Sequence, residues 1–185
     1  MRIIAGIAKG MPLAVPRGAA TRPTSDRVRE AIFSRLGGRV GGATVLDLFA
    51  GTGAFGLEAA SRGARTVTFV ETAPAALQSL QRNIETFRKG REVSCELLIV
   101  RGEAFAHLGK YVDAGKSFSL IFADPPYGEM AQTLLSDAHL ASLLTKDGLV
   151  VLESAKRDKL LAGSRWNSVR EAVYGDTKVN FFARV

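Results

Sequence analysis

From residue 44 onward, short apolar runs alternate with segments whose apolar residues recur at helical spacing. Thr44 to Phe49, Thr66 to Val70, Val93 to Val100, Ser119 to Ala123 and Leu149 to Leu152 predict strands. Between them, helices are expected through Ala59 and Ala60, from Pro74 to Phe87, from Ala104 to Leu108 and from Gln132 to Leu144. This alternation calls for right-handed crossovers and an α/β fold whose parallel sheet is covered on both faces. The end of the chain breaks the pattern. Val169 to Tyr174 and Lys178 to Ala183 are joined only by Gly175-Asp176-Thr177, a link of hairpin length, so the last two strands must run antiparallel.

The first 42 residues follow another plan. Ile3 to Gly6 and Met11 to Pro16 predict a small β-hairpin outside the main sheet. Ser25 is placed to cap a helix with apolar positions Val28, Ala31, Ile32 and Leu36, which Gly37-Gly38 ends. Arg27, Arg29 and Arg35 are expected on its opposite face. The chain therefore divides into a basic extension, 1–42, and a core domain, 43–185.

At 185 residues and 46% hydrophobic content, one core fits and a second catalytic domain does not. No stretch approaches a membrane span and the opening residues lack a signal-peptide core, so a cytoplasmic protein is expected. One cysteine, Cys95, and two histidines, His107 and His139, offer no metal-ligand spacing, so no metal is expected. Charge changes the picture more. Of the formal net charge of +7, residues 1–42 hold eight basic side chains against Asp26 and Glu30. Such an excess points to a polyanion, with Arg2, Lys9, Arg17, Arg22, Arg27 and Arg29 as candidate contacts.

The strand at Val45 leads into Asp47-Leu48-Phe49-Ala50-Gly51-Thr52-Gly53-Ala54-Phe55-Gly56, a strand, a glycine turn and a helix start. Gly51-x-Gly53-x-x-Gly56 matches the dinucleotide fingerprint, and Glu71 lies 20 residues beyond Gly51, which makes an NAD oxidoreductase one alternative. Asp47 argues against it. A carboxylate just before the loop repels a pyrophosphate and attracts the ammonium of an amino-acid cofactor. S-adenosylmethionine carries that ammonium, a sulfonium and a ribose diol without phosphate. Asp47, the backbone of Phe49 to Gly53, and Glu71 answer those groups in order, and Glu103, after the third strand, is the candidate for the adenine amino group.

Asp124-Pro125-Pro126-Tyr127 follows the apolar run Leu120 to Ala123. Two prolines fix φ and donate no N–H, so the chain leaves the sheet stiffly with its carbonyls free to accept. An exocyclic amine on a base is a poor nucleophile until acceptors draw its nitrogen toward tetrahedral geometry. Asp124 and the Pro125 carbonyl are candidates for that task, with Tyr127 stacking on the base. A DNA adenine-N6 methyltransferase and a noncatalytic RNA-binding protein remain open alternatives on these residues alone.

Arg2-Ile3-Ile4-Ala5-Gly6, Arg22-Pro23-Thr24-Ser25-Asp26-Arg27-Val28-Arg29-Glu30, Asp47 to Gly53, and Asp124 to Tyr127 together closely resemble the bacterial RsmD family, over essentially the whole chain. The resemblance implies a seven-stranded, Rossmann-like class I methyltransferase sheet. It also implies S-adenosylmethionine-dependent methylation of N2 of one guanine in small-subunit (16S) ribosomal RNA; a monomer acting on 16S RNA or a partly assembled subunit is expected. It implies further that Arg22, Thr24 and Arg29 lie near the cofactor or the RNA, Thr24 on the cofactor side. Glu103 departs from the Asp usual at its place in the family.

Overall fold

The computed structural model describes residues 1–16, 25–126 and 128–185. The chain runs α1 (Asp26–Leu36), a 3₁₀ turn (Gly37–Arg39), β1 (Thr44–Leu48), α2 (Ala54–Ser61), β2 (Thr66–Glu71), α3 (Pro74–Arg88), β3 (Glu96–Arg101) and α4 (Ala104–Asp113). It continues through β4 (Phe118–Ala123), α5 (Met130–Ser136), α6 (Ala138–Ser142), β5 (Leu144–Ala155), β6 (Trp166–Tyr174) and β7 (Thr177–Arg184). The strands form one seven-stranded sheet in the order β3-β2-β1-β4-β5-β7-β6. Strands β1 to β5 pair in parallel, whereas β7 pairs antiparallel with both β5 and β6, as the short final link requires.

Side chains alternate across the sheet and fill two separate cores. Val45, Val67, Leu120, Phe122 and Val151 face α1, α2 and α3, while Leu46, Val70, Ile121, Val150 and Leu152 face α4, α5 and α6. An aromatic stack seals the first side: Phe122 lies 5.4 Å from Phe33 of α1 and 5.2 Å from Phe55 of α2. Helix α2 sits close on β2 because Gly56 has no side chain; a Cβ there would lie 2.2 Å from Phe69 Cε1 and 2.7 Å from Val67 Cγ1.

The expected N-terminal hairpin forms no strand: it comes down to one antiparallel bridge, Arg2–Pro12, outside the sheet, with Ile3 N–H donating to Met11 O (2.9 Å). Its Ile3, Ala8, Met11 and Leu13 nevertheless join the same core as β1 and α2. Its backbone is held by α2: Ile4 and Ala5 N–H donate to the Glu58 carboxylate (2.7 and 3.1 Å), and Ala8 N–H to Ser61 Oγ (3.0 Å).

Five sequence expectations shift. The single helix over 132–144 is two, because the Asp137 side chain accepts from His139 N–H (2.8 Å) and starts α6 afresh. Strand β5 begins at Leu144 rather than Leu149, a bulge over its polar start having hidden it. Strand β3 starts three residues later than expected and β6 three residues earlier. Ser25 does cap α1, accepting from Val28 N–H (3.3 Å). Arg29, expected on the exposed face of α1, is instead fully buried. Among the described residues no helix is long and apolar enough to cross a membrane.

Candidate active site

The carboxyl ends of β1, β2 and β4 lie side by side, and the crevice beyond such strand ends is where an open parallel sheet receives ligands. In register, Leu48 pairs with Val70 and with Ala123, so Phe49, Glu71 and Asp124 leave the sheet side by side. The chain after β1 turns sharply. Phe49 takes φ 57°, a left-handed conformation that costs a non-glycine residue about 1–3 kcal/mol, and Gly51 and Gly53 follow at 55° and 80°. The turn is over-determined: Ala50 N–H donates to Val70 O (3.1 Å), Gly53 N–H to Ala50 O (2.7 Å) and Gly51 N–H to Glu71 Oε2 (2.7 Å). Gly53 is also sterically required, since a Cβ there would lie 2.4 Å from Leu80 Cδ1.

Asp47 is 2% exposed, and its Oδ2 accepts from Gly56 N–H (2.8 Å). It thereby satisfies an amide that the first turn of α2 leaves without a partner, because Gly53 at the cap has no side chain to do so. Burial holds the Asp47 carboxyl well above the usual carboxylate range; the Gly56 bond offsets this in part, and the charges of Asp124 and Glu71 push it further up. The charged neighbours acting on Asp47 are thus both acids. A cation in the crevice relieves that repulsion, whereas a diphosphate would add to it.

Glu71 is half-buried and receives three N–H groups, from Gly51, Thr72 (2.8 Å) and Ala73 (2.8 Å). A carboxylate has about four acceptor positions, so one remains for a hydroxyl. Glu103 lies exposed at the start of α4 and accepts from Thr72 Oγ (3.3 Å), which brings it beside Glu71. Phe105 meets Phe49 edge-on at 6.3 Å and forms an apolar wall next to Glu103. Phe105 and Thr72 escaped the sequence analysis; the signal was an aromatic residue two positions after the acid that follows β3. Among the described residues no group of three or more His, Cys, Asp or Glu side chains is placed to hold a metal ion. An ammonium for Asp47, small residues at the loop and a diol for Glu71 together fit S-adenosylmethionine.

Asp124 is half-buried, Pro125 buried and Pro126 exposed. Tyr127, Thr24, Arg17 and Arg22 lie outside the described residues. Of the remaining basic candidates, Arg2, Lys9 and Arg27 are exposed. Arg29 is not available to a ligand. Its guanidinium donates to Asp26 Oδ1 (2.9 Å) and to the Arg2 carbonyl, and its Nε lies 3.9 Å from the buried Glu58, which also pairs with Arg62 (2.6 Å). The sequence placed Arg29 with the cations; the fold uses it to tie the hairpin, α1 and α2 together. Removing one partner of a buried ion pair costs about 3–5 kcal/mol. Arg29→Met is therefore expected to lower the melting temperature by about 10 °C. Arg27→Met is expected to leave it unchanged while weakening RNA binding, and thermal melts with RNA titrations check the contrast.

Residues 1–183 match the model of the family described as conserved hypothetical protein 95. Ribosomal RNA small subunit methyltransferase D of Escherichia coli K12 is 34% identical over 189 residues, spanning 100% of this chain and 90% of that protein. The Haemophilus influenzae protein of the same name is 32% identical, spanning 95% and 89%. Among solved structures, a hypothetical protein of Thermus thermophilus superposes with a TM-score of 0.81 at 31% identity, covering 100% of this chain and 99% of that one. The chain belongs to the conserved hypothetical protein 95 family, that of the ribosomal RNA small subunit methyltransferase D enzymes, and is a methyltransferase.

Proposed function

We propose that this methyltransferase uses S-adenosylmethionine to methylate the exocyclic N2 of a guanine in 16S ribosomal RNA. One observation carries the reading: three acids, Asp47, Glu71 and Asp124, converge on the crevice of a nucleotide-type fold with the innermost buried among like charges. Asp47 would hold the amino-acid ammonium, Glu71 the ribose hydroxyls, and Glu103 with Phe105 the adenine. When bound there, the cofactor supplies a methyl group on a positively charged sulfur.

The residues opposite orient the acceptor. Asp124 and the Pro125 carbonyl each accept an N–H of the guanine amine, which localises its lone pair and aims it into the crevice. The Pro-Pro step keeps those acceptors from relaxing away. Tyr127 stacks on a base drawn out of its neighbours, a contact worth about 1–3 kcal/mol. Arg2, Lys9 and Arg27 of the 1–42 extension, with Arg17 and Arg22, meet the RNA backbone beside domain 43–185. The relatives named for small-subunit ribosomal RNA support this substrate. The enzyme acts as a monomer in the cytoplasm, on 16S RNA or a partly assembled subunit.

Nucleoside analysis after incubation with labelled S-adenosylmethionine tests this. N2-methylguanine in small-subunit RNA is the expected product. N6-methyladenine in DNA with unmodified RNA would transfer the assignment to the DNA enzymes that share the tetrapeptide.

A further inference from the structure

Part of the N-terminal charge lies away from the crevice. Arg35, in the last turn of α1, and Arg39, in the 3₁₀ turn, sit at the opposite edge of the sheet, where the chain is about to enter β1. They line a groove of about 470 Å³ with Lys146 at the bulged start of β5 and Arg170 of β6, over an apolar floor that includes Leu149 and Phe181. Asp147 is the one acid in the lining. Arg39 Nη1 donates to the Asp147 carbonyl (3.0 Å), which fixes the start of β5 against α1. Four cations thus arrive from three separate chain segments around one concavity, and all four are exposed.

We propose that this groove binds a backbone segment of ribosomal RNA, a second contact apart from the strand that presents the target base. The inference rests on the ribosomal RNA substrate argued above. Four cations held close repel one another, and a polyanion converts that repulsion into attraction through counterion release. The groove runs along β5, β7 and β6; Arg170 pairs with Phe181, Phe181 with Val151 and Val151 with Phe122, so its upper end stands level with the carboxyl end of β4. The separation from the crevice is across the strands, four strand spacings from β1 to β6, or about 19 Å. RNA that fills both must reach across the sheet, and a short fragment seated in the crevice leaves the groove empty.

The test compares the wild type with Arg35→Gln/Lys146→Gln/Arg170→Gln, leaving Arg39 to hold the Asp147 carbonyl. Small subunits, naked 16S RNA and a short RNA carrying only the target base serve as ligands. The variant is expected to bind subunits and naked 16S RNA about tenfold or more weakly at physiological salt, with a salt slope lower by about 2 to 3. Methylation of the short RNA, S-adenosylhomocysteine affinity and melting temperature are expected to stay unchanged. If the wild type binds and methylates the subunit and the variant matches it in affinity and slope, the groove proposal fails alone. Weakened binding to subunits with unchanged binding to naked 16S RNA would indicate a protein partner and overturn it too. If the wild type itself neither binds nor methylates any of these RNAs, the substrate assignment beneath it falls.

Discussion

Asp124→Ala is expected to lower the methyl-transfer rate by about a hundred- to a thousandfold while RNA affinity stays within a factor of about three. The magnitude is that of removing one preorganised acceptor aimed at developing charge. It reaches full size here because the loop cannot readily re-aim another acceptor: Pro125 is buried and two prolines fix the backbone. RNA affinity is spared because phosphate contacts set most of it. Cofactor affinity should fall only a few-fold, since Asp124 would act on a cationic ligand through space and not by direct contact. Asp124→Asn refines the measurement. Its amide keeps one acceptor but turns two N–H groups toward an amine that must itself donate, so it should rescue little of the rate. Single-turnover kinetics with filter binding separate the quantities, and turnover within about threefold of wild type would remove Asp124 from the reaction.

What the sequence revealed and what it concealed follow from how many residues specify each feature. The sheet was legible because β1, β2 and β4 are buried on both faces and read as continuous apolar runs. The final hairpin was legible because three residues leave no room for a crossover. The glycine turn and its acids were legible because Gly53 and Gly56 sit where a Cβ would strike Leu80, Val67 and Phe69, so the spacing is enforced by packing. Arg29 was misplaced because charge was weighed before position. It lies four residues before Phe33 and seven before Leu36, on the buried stripe of α1, with Asp26 three residues back as partner. The break between α5 and α6 rests on one Asp137 side chain, which a periodicity argument smooths over. Strand β5 was cut short because Thr145 to Gly148 are mostly polar or glycine and fall outside an apolar run, although they form a bulge inside the strand. The groove was invisible for a related reason. Arg35, Arg39, Lys146 and Arg170 are scattered in sequence, and only the closing of β6 and β7 against the foot of α1 brings them together.

Asp47→Asn should make the ligand-free enzyme more stable and the cofactor complex weaker, an exchange that a purely structural aspartate would not produce. Burial first, then the charges of Asp124 and Glu71, raise its carboxyl well above the ordinary 3.8, with the Gly56 amide only partly opposing them. A carboxyl whose folded value is raised contributes stability that is present below its unfolded value and is lost as pH rises through the folded one. Above that folded value the wild type carries a buried, repelled charge that the asparagine variant lacks, while the substituted amide can still accept the Gly56 N–H through its carbonyl oxygen. The variant's advantage in melting temperature is therefore expected at neutral and alkaline pH and should vanish in acid, where Asp47 is neutral as well. Cofactor binding runs the other way. An ammonium needs the ionised carboxylate, so wild-type affinity should fall as pH drops through the raised value, whereas the variant binds about ten- to a hundredfold more weakly with little dependence on Asp47 titration. Calorimetric titrations with S-adenosylhomocysteine and thermal melts from mildly acidic to mildly alkaline pH measure both halves. If the variant bound as tightly as wild type, Asp47 would be reduced to the cap of α2. If it were less stable in the alkaline melts, the charge would be compensated in the free protein and the argument for a cationic ligand would lose its basis.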